Sequence, residues 1–396
     1  MESPLQFEVH HRLPGSAART GTVTTPHGKF STPAFMPVGT KGTIKGLPPH
    51  VVASTGSEIL LNNAYHLMLR PGDELVARRG GMHAFMGWDR PILTDSGGYQ
   101  AFSMSDVNQI NDDGVTFKSI VDGSSIHLGP ERAMEVQNNL GADIIMAFDD
   151  CPPSVHGVHG TGEANHARRL EQAVDRTTRW LHRCNQAHGR RGDQALFGIV
   201  QGGTDLQLRA RSLEAVTEVD LPGYAIGGVA VGEAPELIHS VVREVAPRLP
   251  EDRPRYLMGV GYERDIIEAV LAGVDMFDCV LPTRNGRSAT AFTRRGRINL
   301  RNARFLEDDA PLEPGCPCLA CSVDHPLSGD QKGWFSRAYL RHLFQAEEML
   351  GPILVSVHNI QHFQSLMLDI RRAIRDDAWP SLVRDWPVLG DPALKG

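Results

Sequence analysis

No stretch of this chain is apolar for the ~20 residues that a membrane-crossing helix needs. The opening "MESPLQFEVHHRLPG" is polar and broken by proline, unlike a secretory signal. A cytoplasmic protein with no membrane partner is therefore expected. Cysteine is scarce: there are six, at 151, 184, 279, 316, 318 and 321, three of them crowded into "CPCLAC". That makes a poor disulfide framework and a plausible metal cluster. The G-x-G-x-x-G of a dinucleotide fold is missing, as are internal repeats and low-complexity linkers. Positive charge is in deficit, with 40 Lys and Arg against 47 Asp and Glu and a net charge of −7. That balance argues against a general polyanion binder.

What is present is local. From Cys279 to Leu306 the chain carries seven arginines and no acid, a cationic region inside an acidic protein. Eight short runs rich in Ile, Val, Leu and Phe read as strands: 33–38, 58–63, 91–96, 143–150, 196–203, 224–232, 256–261 and 276–281. Amphipathic segments lie between several of them; 162–188 places Ala167, Leu170, Val174 and Leu181 near helical spacing, and "ERDIIEAVLAGV" is a shorter example. Eight strands alternating with helices in 396 residues predict an α/β fold, a (β/α)8 TIM barrel with an added module. The segment 100–128 breaks the rhythm and reads as an inserted β-rich excursion.

Active sites of such barrels lie at the C-terminal ends of the strands. Those ends carry Asp95, Asp149, Gln201, Gly228, Met258 and Asp278, so three carboxylates and an amide would converge. "DSGGYQ" (95–100) follows a strand, with Gly97 and Gly98 giving backbone freedom and Tyr99 a ring on which a flat base can stack. In "FDDCPP" (148–153), Asp149 or Asp150 can take two N–H donors from the edge of a base such as guanine, or ligate a metal, though no H-x-H lies near. "IVQGG" and "IGGVAVGE" end strands in glycine pairs that can hold a phosphate or a carbonyl oxygen. "MFDCVLPTRNGR" ends a buried strand in Asp278 and turns into a loop, Pro282 to Arg287, with two arginines. The three cysteines Cys316, Cys318 and Cys321 lack a fourth ligand for a tetrahedral metal, and His325, His342 and His358 are all candidates.

"DSGGYQ", "FDDC", "GIVQGG", "GGVAVGE", "YLMGVG", "FDCVLPTR" and the cysteine cluster followed by "HN" occur in this order. Together they resemble bacterial tRNA-guanine transglycosylases, from about residue 6 to 375. The resemblance implies exchange of guanine at the wobble position of tRNAs with G-U-N anticodons (the Asp, Asn, His and Tyr type) for preQ1, in queuosine biosynthesis. Asp278 would be the nucleophile and Asp95 the general acid/base. Ser96, Gly97, Gly98, Tyr99, Asp149, Cys151, Gln201, Gly228, Val229, Ala230 and Met258 would bind the base, and Val231 would favour preQ1 over bulkier queuine. Gly259, Val260, Gly261, Asp265, Thr283, Arg284, Asn285, Gly286 and Arg287 would meet RNA. Cys316, Cys318, Cys321 and His358 would hold one structural Zn2+ per subunit of a homodimer. The implied division is a catalytic barrel over 1–290, an arginine-rich, zinc-binding subdomain over 291–360 and a helical segment over 361–396 packing on the barrel.

The chain departs from the family pattern in three places. "SVDHPLSGDQKGW" after Cys321 is long and keeps His325 as a competitor for the metal, Tyr262 stands where Lys or Thr is commoner, and "HGVHGTGEANH" is also long. Two rival readings are a barrel N-ribosyl hydrolase acting on free nucleosides and a non-catalytic tRNA-binding subunit. The arginine stretch and metal module disfavour the first, and the presence of both Asp95 and Asp278 disfavours the second.

Overall fold

Eight parallel strands pair edge to edge in a computed structural model that describes residues 3–103, 109–154, 163–330 and 333–390. They are β1 (Ala34–Gly39), β2 (Leu60–Asn62), β3 (Ile92–Thr94), β4 (Ile144–Met146), β5 (Ala195–Val200), β6 (Gly223–Ile226), β7 (Arg255–Leu257) and β8 (Met276–Cys279). The sheet closes where β8 pairs with β1, Met276 opposite Ala34 through Cys279 opposite Pro37. All eight coincide with the apolar runs of the sequence. The reason is burial on both faces, which makes the strands mainly apolar runs rather than alternating ones. Met36, Leu61, Leu93, Ile144, Met146, Phe197, Ile199 and Met276 point inward and fill the barrel. Phe35, Leu60, Ile92, Ile145, Leu196, Val200, Ile226 and Phe277 point outward into the helical layer.

The N-terminal end of the barrel is stoppered by an antiparallel sheet of Gln6–Arg12, Arg19–Thr25 and Gly28–Thr32, which the sequence reading did not anticipate. Its Val23 and Phe30 join the same interior cluster as the barrel residues. A buried bidentate ion pair fixes it there, Arg19 to Asp275 at 3.0 and 2.7 Å, and Asp275 also accepts the Arg255 N–H at 2.8 Å. On the same end Asp143 accepts from the His27 and Ile92 N–H groups (3.1 and 2.9 Å) and pairs with His27 Nδ1 and His83 Nε2 (2.8 and 3.1 Å).

The excursion between β3 and β4 is an antiparallel sheet of Gln109–Ile110, Val115–Lys118 and Ser125–Leu128, as expected. The helix expected over 162–188 spans Glu163–Ala187 and buries Leu170, Val174 and Leu181, with Ala167 exposed. After β8 come a hairpin (Thr290–Thr293, Gly296–Asn299), the cysteine loop and a helix, Arg337–Gln345. A long helix, Leu350–Arg375, then returns to the barrel. Its Gln364 and Arg371 side chains donate to the Phe35 and Pro33 carbonyls (2.9 and 2.8 Å), and Phe363 stacks on Phe35 at 4.7 Å. The cysteine-bearing module is thus spliced between the last strand and the helix that covers it. The division expected at residue 360 falls inside this helix.

No helix among the described residues is long and apolar enough to cross a membrane.

Candidate active site and metal cluster

The strand ends bring the expected carboxylates together. Asp95, just after β3, accepts the Ala64 N–H on Oδ1 (2.9 Å) and the amides of Asn63 and Gln100 on Oδ2 (2.7 and 3.1 Å). Burial, and to a smaller extent the charges of Asp278 and Asp149, raise its pKa to about 7, against the pull of the Ala64 N–H. Asp149, just after β4, accepts from Gln201 Nε2 at 2.6 Å, and burial likewise raises it to about 7. Its neighbour Asp150 faces away and is claimed by Arg169 at 2.8 Å and by Arg176, so Asp149 is the acid left to the pocket.

Asp278 sits on β8, half-buried, and burial raises its pKa. Both its hydrogen bonds land on one oxygen: the Tyr256 hydroxyl donates to Oδ1 at 2.6 Å and the Gly259 N–H at 2.7 Å. Oδ2 receives none among the described residues. Two donors on Oδ1 favour the ionised carboxylate, which is the nucleophilic form.

The base-binding candidates surround these acids. Ser96 is buried, and Gly97 and Gly98 lead into the helix Gly98–Ser103, from which Tyr99 stands 44% exposed. Cys151 is buried, its thiol pushed up to about 12 by burial, and Met258 is half-buried at the end of β7. Gly228 has φ +62°, and a Cβ there would lie 2.0 Å from Gln201 Oε1, so any side chain would evict the Gln201 amide. Val229 is buried and Ala230 exposed.

Three contributors escaped the sequence reading. Tyr256, first in "YLMGVG", holds Asp278. Glu233, last in "GGVAVGE", accepts the Ala230 and Val231 N–H groups (2.5 and 3.1 Å) and the Ser154 hydroxyl (2.5 Å). Arg209, fully buried, donates to the carbonyls of Val200, Gly203, Gly227 and Gly228 at 2.7 to 3.1 Å, tying the β5 and β6 loops to one guanidinium. The first two had a signal, a polar residue inside a quoted motif. Arg209 had none, because its partners are backbone carbonyls.

The RNA candidates divide by exposure. Gly259, Arg284 and Arg287 are at the surface, whereas Val260, Gly261, Thr283 and Gly286 are buried. Asp265 is half-buried and pairs with His239 Nε2 at 2.8 Å; Asn285 is half-buried, its Nδ2 without a partner. The expected loop after Asp278 is instead a helix, Leu281–Arg287. Pro282 falls in its first turn, where N–H groups lack helical partners anyway. Gly286 lets the helix pack directly on Ser356 of the long helix, since a Cβ would meet it at 2.5 Å.

Cys316, Cys318, Cys321 and His358 form a cluster that could hold a metal ion, with ligand atoms within 4.8 Å of one another. His358 Nδ1 lies 3.6, 3.6 and 3.4 Å from the three sulfurs. A tetrahedral zinc with its usual bond lengths would separate sulfur from nitrogen by ~3.6 Å, so the donor set fits that metal. His358 Nε2 is held by the Phe292 carbonyl at 2.8 Å, which fixes the ring as an outer-shell partner should. His325 spends Nδ1 on the Leu327 N–H (3.1 Å), and His342 stacks on Tyr339; neither joins the cluster.

Fold and site define a (β/α)8-barrel enzyme with a Cys3His cluster built into the chain after its last strand. The chain belongs to the queuine tRNA-ribosyltransferase family, whose model matches residues 15–387. It is similar to the queuine tRNA-ribosyltransferase of Synechococcus sp. (strain CC9311), 50% identical over 381 residues, 96% of this chain and 97% of that one. That of Thermus thermophilus is 50% identical over 383 residues, 97% of this chain and 94% of its own. That of Lysinibacillus sphaericus is 48% identical over 373 residues, 94% and 93% of the two chains.

Proposed function

We infer that this chain is a tRNA-guanine transglycosylase of queuosine biosynthesis, a pentosyltransferase that exchanges guanine at the wobble position of G-U-N anticodon tRNAs for preQ1. The observation that carries the mechanism is the carboxylate of Asp278, anchored through Oδ1 by Tyr256 and Gly259 with Oδ2 left to react. Oδ2 attacks the ribose C1′, the bond from C1′ to guanine N9 breaks, and Asp95 supplies the proton that the departing base needs. The ribose is then esterified to Asp278. PreQ1 enters, Asp95 takes its proton back from the incoming base, and N9 attacks C1′ to release Asp278. Two displacements retain the configuration, as in retaining glycosidases. A pKa of about 7 suits Asp95 to both directions of transfer.

Asp149 and Gln201 face the hydrogen-bonding edge of the base, with the Gly228 N–H and the backbone of Val229 and Ala230 beside them. Tyr99 and Met258 offer the stacking faces, while Ser96, Gly97, Gly98 and Cys151 line the floor. Arg284 and Arg287 meet phosphates directly; Val260, Gly261, Asp265, Thr283, Asn285 and Gly286 shape the surface that carries them. One structural Zn2+ per subunit, held by the Cys3His set, closes the cysteine loop. A cytoplasmic homodimer without membrane association completes the reading, with tRNAs of the Asp, Asn, His and Tyr type as substrates.

The test is incorporation of labelled guanine into an unmodified tRNA with a U-G-U anticodon loop, with preQ1 as competitor. Incorporation that preQ1 suppresses is expected. Absence of incorporation by folded, metal-loaded protein overturns the reading.

A further inference from the structure

At the base of the barrel, opposite the catalytic mouth, two buried carboxylates are partnered in different ways. Asp275 has Arg19, a permanent cation. Asp143, whose side chain has no exposed surface, has among the described residues only two histidines as ion-pair partners, His27 and His83. A neutral imidazole brings no charge, so Asp143 lacks the full counter-charge that a buried carboxylate needs. Yet it is held ionised. Burial opposes the charge, but hydrogen bonds from His83, the Ile92 N–H and His27 outweigh that effect and keep its pKa below the usual value.

The two rings reach Asp143 from separate elements. His27 lies in the turn between the stopper strands Arg19–Thr25 and Gly28–Thr32, His83 lies on the helix Gly81–Met86, and Asp143 immediately precedes β4. The rings stack face to face, 3.5 Å between centroids and 13° between planes. Face-to-face stacking is the less favoured aromatic arrangement, and protonating both rings would press two cations together. The histidines are therefore poorly placed to supply the missing charge themselves. They are well placed to share an ion, since one ligand atom from each of the three residues lies within 4.8 Å of the others. His27 Nδ1 and His83 Nε2 stand 2.8 and 3.1 Å from the Asp143 oxygens. Around a tetrahedral zinc with its usual bond lengths nitrogen and oxygen stand ~3.3 Å apart, so an opening of about 0.5 Å or less admits the ion. The His27 side chain, 43% exposed, can make that movement and leaves a route in from solvent.

We propose that His27, His83 and Asp143 form a second metal site, taking Zn2+ or a chemically similar divalent ion with water completing its shell. Two imidazoles and one carboxylate with open positions are a donor set that such ions favour over magnesium or calcium. The ion gives Asp143 its counter-charge and ties the stopper turn, the helix Gly81–Met86 and the start of β4 to one point. Its role is to brace the base of the barrel, and it is independent of the assigned activity at the other end.

The test uses the full chain purified with zinc and dialysed to equilibrium against micromolar free zinc. Elemental analysis is expected to find one ion per chain more in the wild type than in His27→Ala or His83→Ala. The wild-type melting midpoint should rise by a few degrees when free zinc is raised to about 100-fold above Kd, and neither variant should respond. Cobalt added to the zinc-loaded wild type should bind without the strong near-ultraviolet band of thiolate ligation, because its ligands are nitrogen and oxygen. His27→Gln serves as a second variant that folds, since it lies in a solvent-facing turn whose backbone N–H still reaches Asp143; it too should lose the extra ion. Guanine exchange by the His27 variants should stay near wild type. Equal zinc content in wild type and variants overturns the proposal, as does a midpoint that zinc leaves unmoved. Cobalt that enters only by displacing zinc, with a thiolate band, also overturns it. Metal uptake is measured without tRNA, so its failure is distinct from failure of the assigned activity.

Discussion

At Asp278, two hydrogen bonds on one oxygen and none on the other divide the labour within a single carboxylate. Asp278→Asn is expected to keep fold and tRNA binding and to lose exchange and the covalent RNA adduct, read on a denaturing gel. Wild-type turnover by that variant would remove Asp278 as nucleophile. Tyr256→Phe removes a donor to a charged acceptor, a loss of about 1.5–3 kcal/mol. In kcat that is roughly 10- to 100-fold, checked by single-turnover kinetics. Asp149 offers a pH test. Its pKa stands at about 7 in the folded chain, mainly through burial, against an ordinary 3.8. The folded state therefore holds a proton that the unfolded state releases, and ionisation opposes folding. The penalty is absent below the ordinary value, grows as pH rises through the window, and is complete above 7. Asp149→Asn escapes it, so the variant's stability advantage in urea denaturation should be larger at pH 8 than at pH 5, by on the order of 1–3 kcal/mol.

Among the elements, legibility followed burial. The eight barrel strands could be read because both faces are covered and most of their residues are apolar, the polar ones such as Asn62, Thr94, Arg255 and Asp278 standing at or near strand ends. The stopper strand Gln6–Arg12, "QFEVHHR", presents one mostly exposed face and so carries no such run. The Pro, Asn and Gly of the segment after Asp278 predict a loop, whereas the segment is a helix whose Gly286 packs directly on Ser356. At the site, Asp95, Asp149, Gln201 and Asp278 could be read as polar residues ending apolar strands. Arg209 could not, because no spacing in the chain reports a bond to a distant carbonyl. The long helix sets a further test, since His358 belongs to the cysteine cluster and the next residue, Asn359, donates to the Pro282 and Thr290 carbonyls at 2.9 and 3.0 Å. Stripping the metal with a chelator, or His358→Ala, should loosen the helix carrying Arg284 and Arg287. Expected outcomes are loss of zinc by elemental analysis, faster amide exchange over 281–299, and weaker tRNA binding with guanine affinity retained.

For the whole molecule, the stopper at the base and the catalytic mouth sit at opposite ends of one barrel, so their failures should separate. Arg19→Ala leaves Asp275 charged and buried without its partner, which is destabilising by about 3–5 kcal/mol. The melting midpoint should fall while kcat at low temperature stays near wild type, and a parallel loss of kcat would contradict that separation. The order of the parts along the chain has a consequence for biosynthesis. Ribosomes release the N-terminus first, so β8 emerges before the cysteines, and the cysteines before Leu350–Arg375, the helix that packs on β1. A nascent chain must therefore wait, its first strand and outer barrel wall uncovered along that side, until the whole cysteine module has been synthesised. With zinc held by the cysteine cluster as proposed, cells short of the metal would meet the shortage during translation, as an unfinished barrel, before meeting it as a slow enzyme.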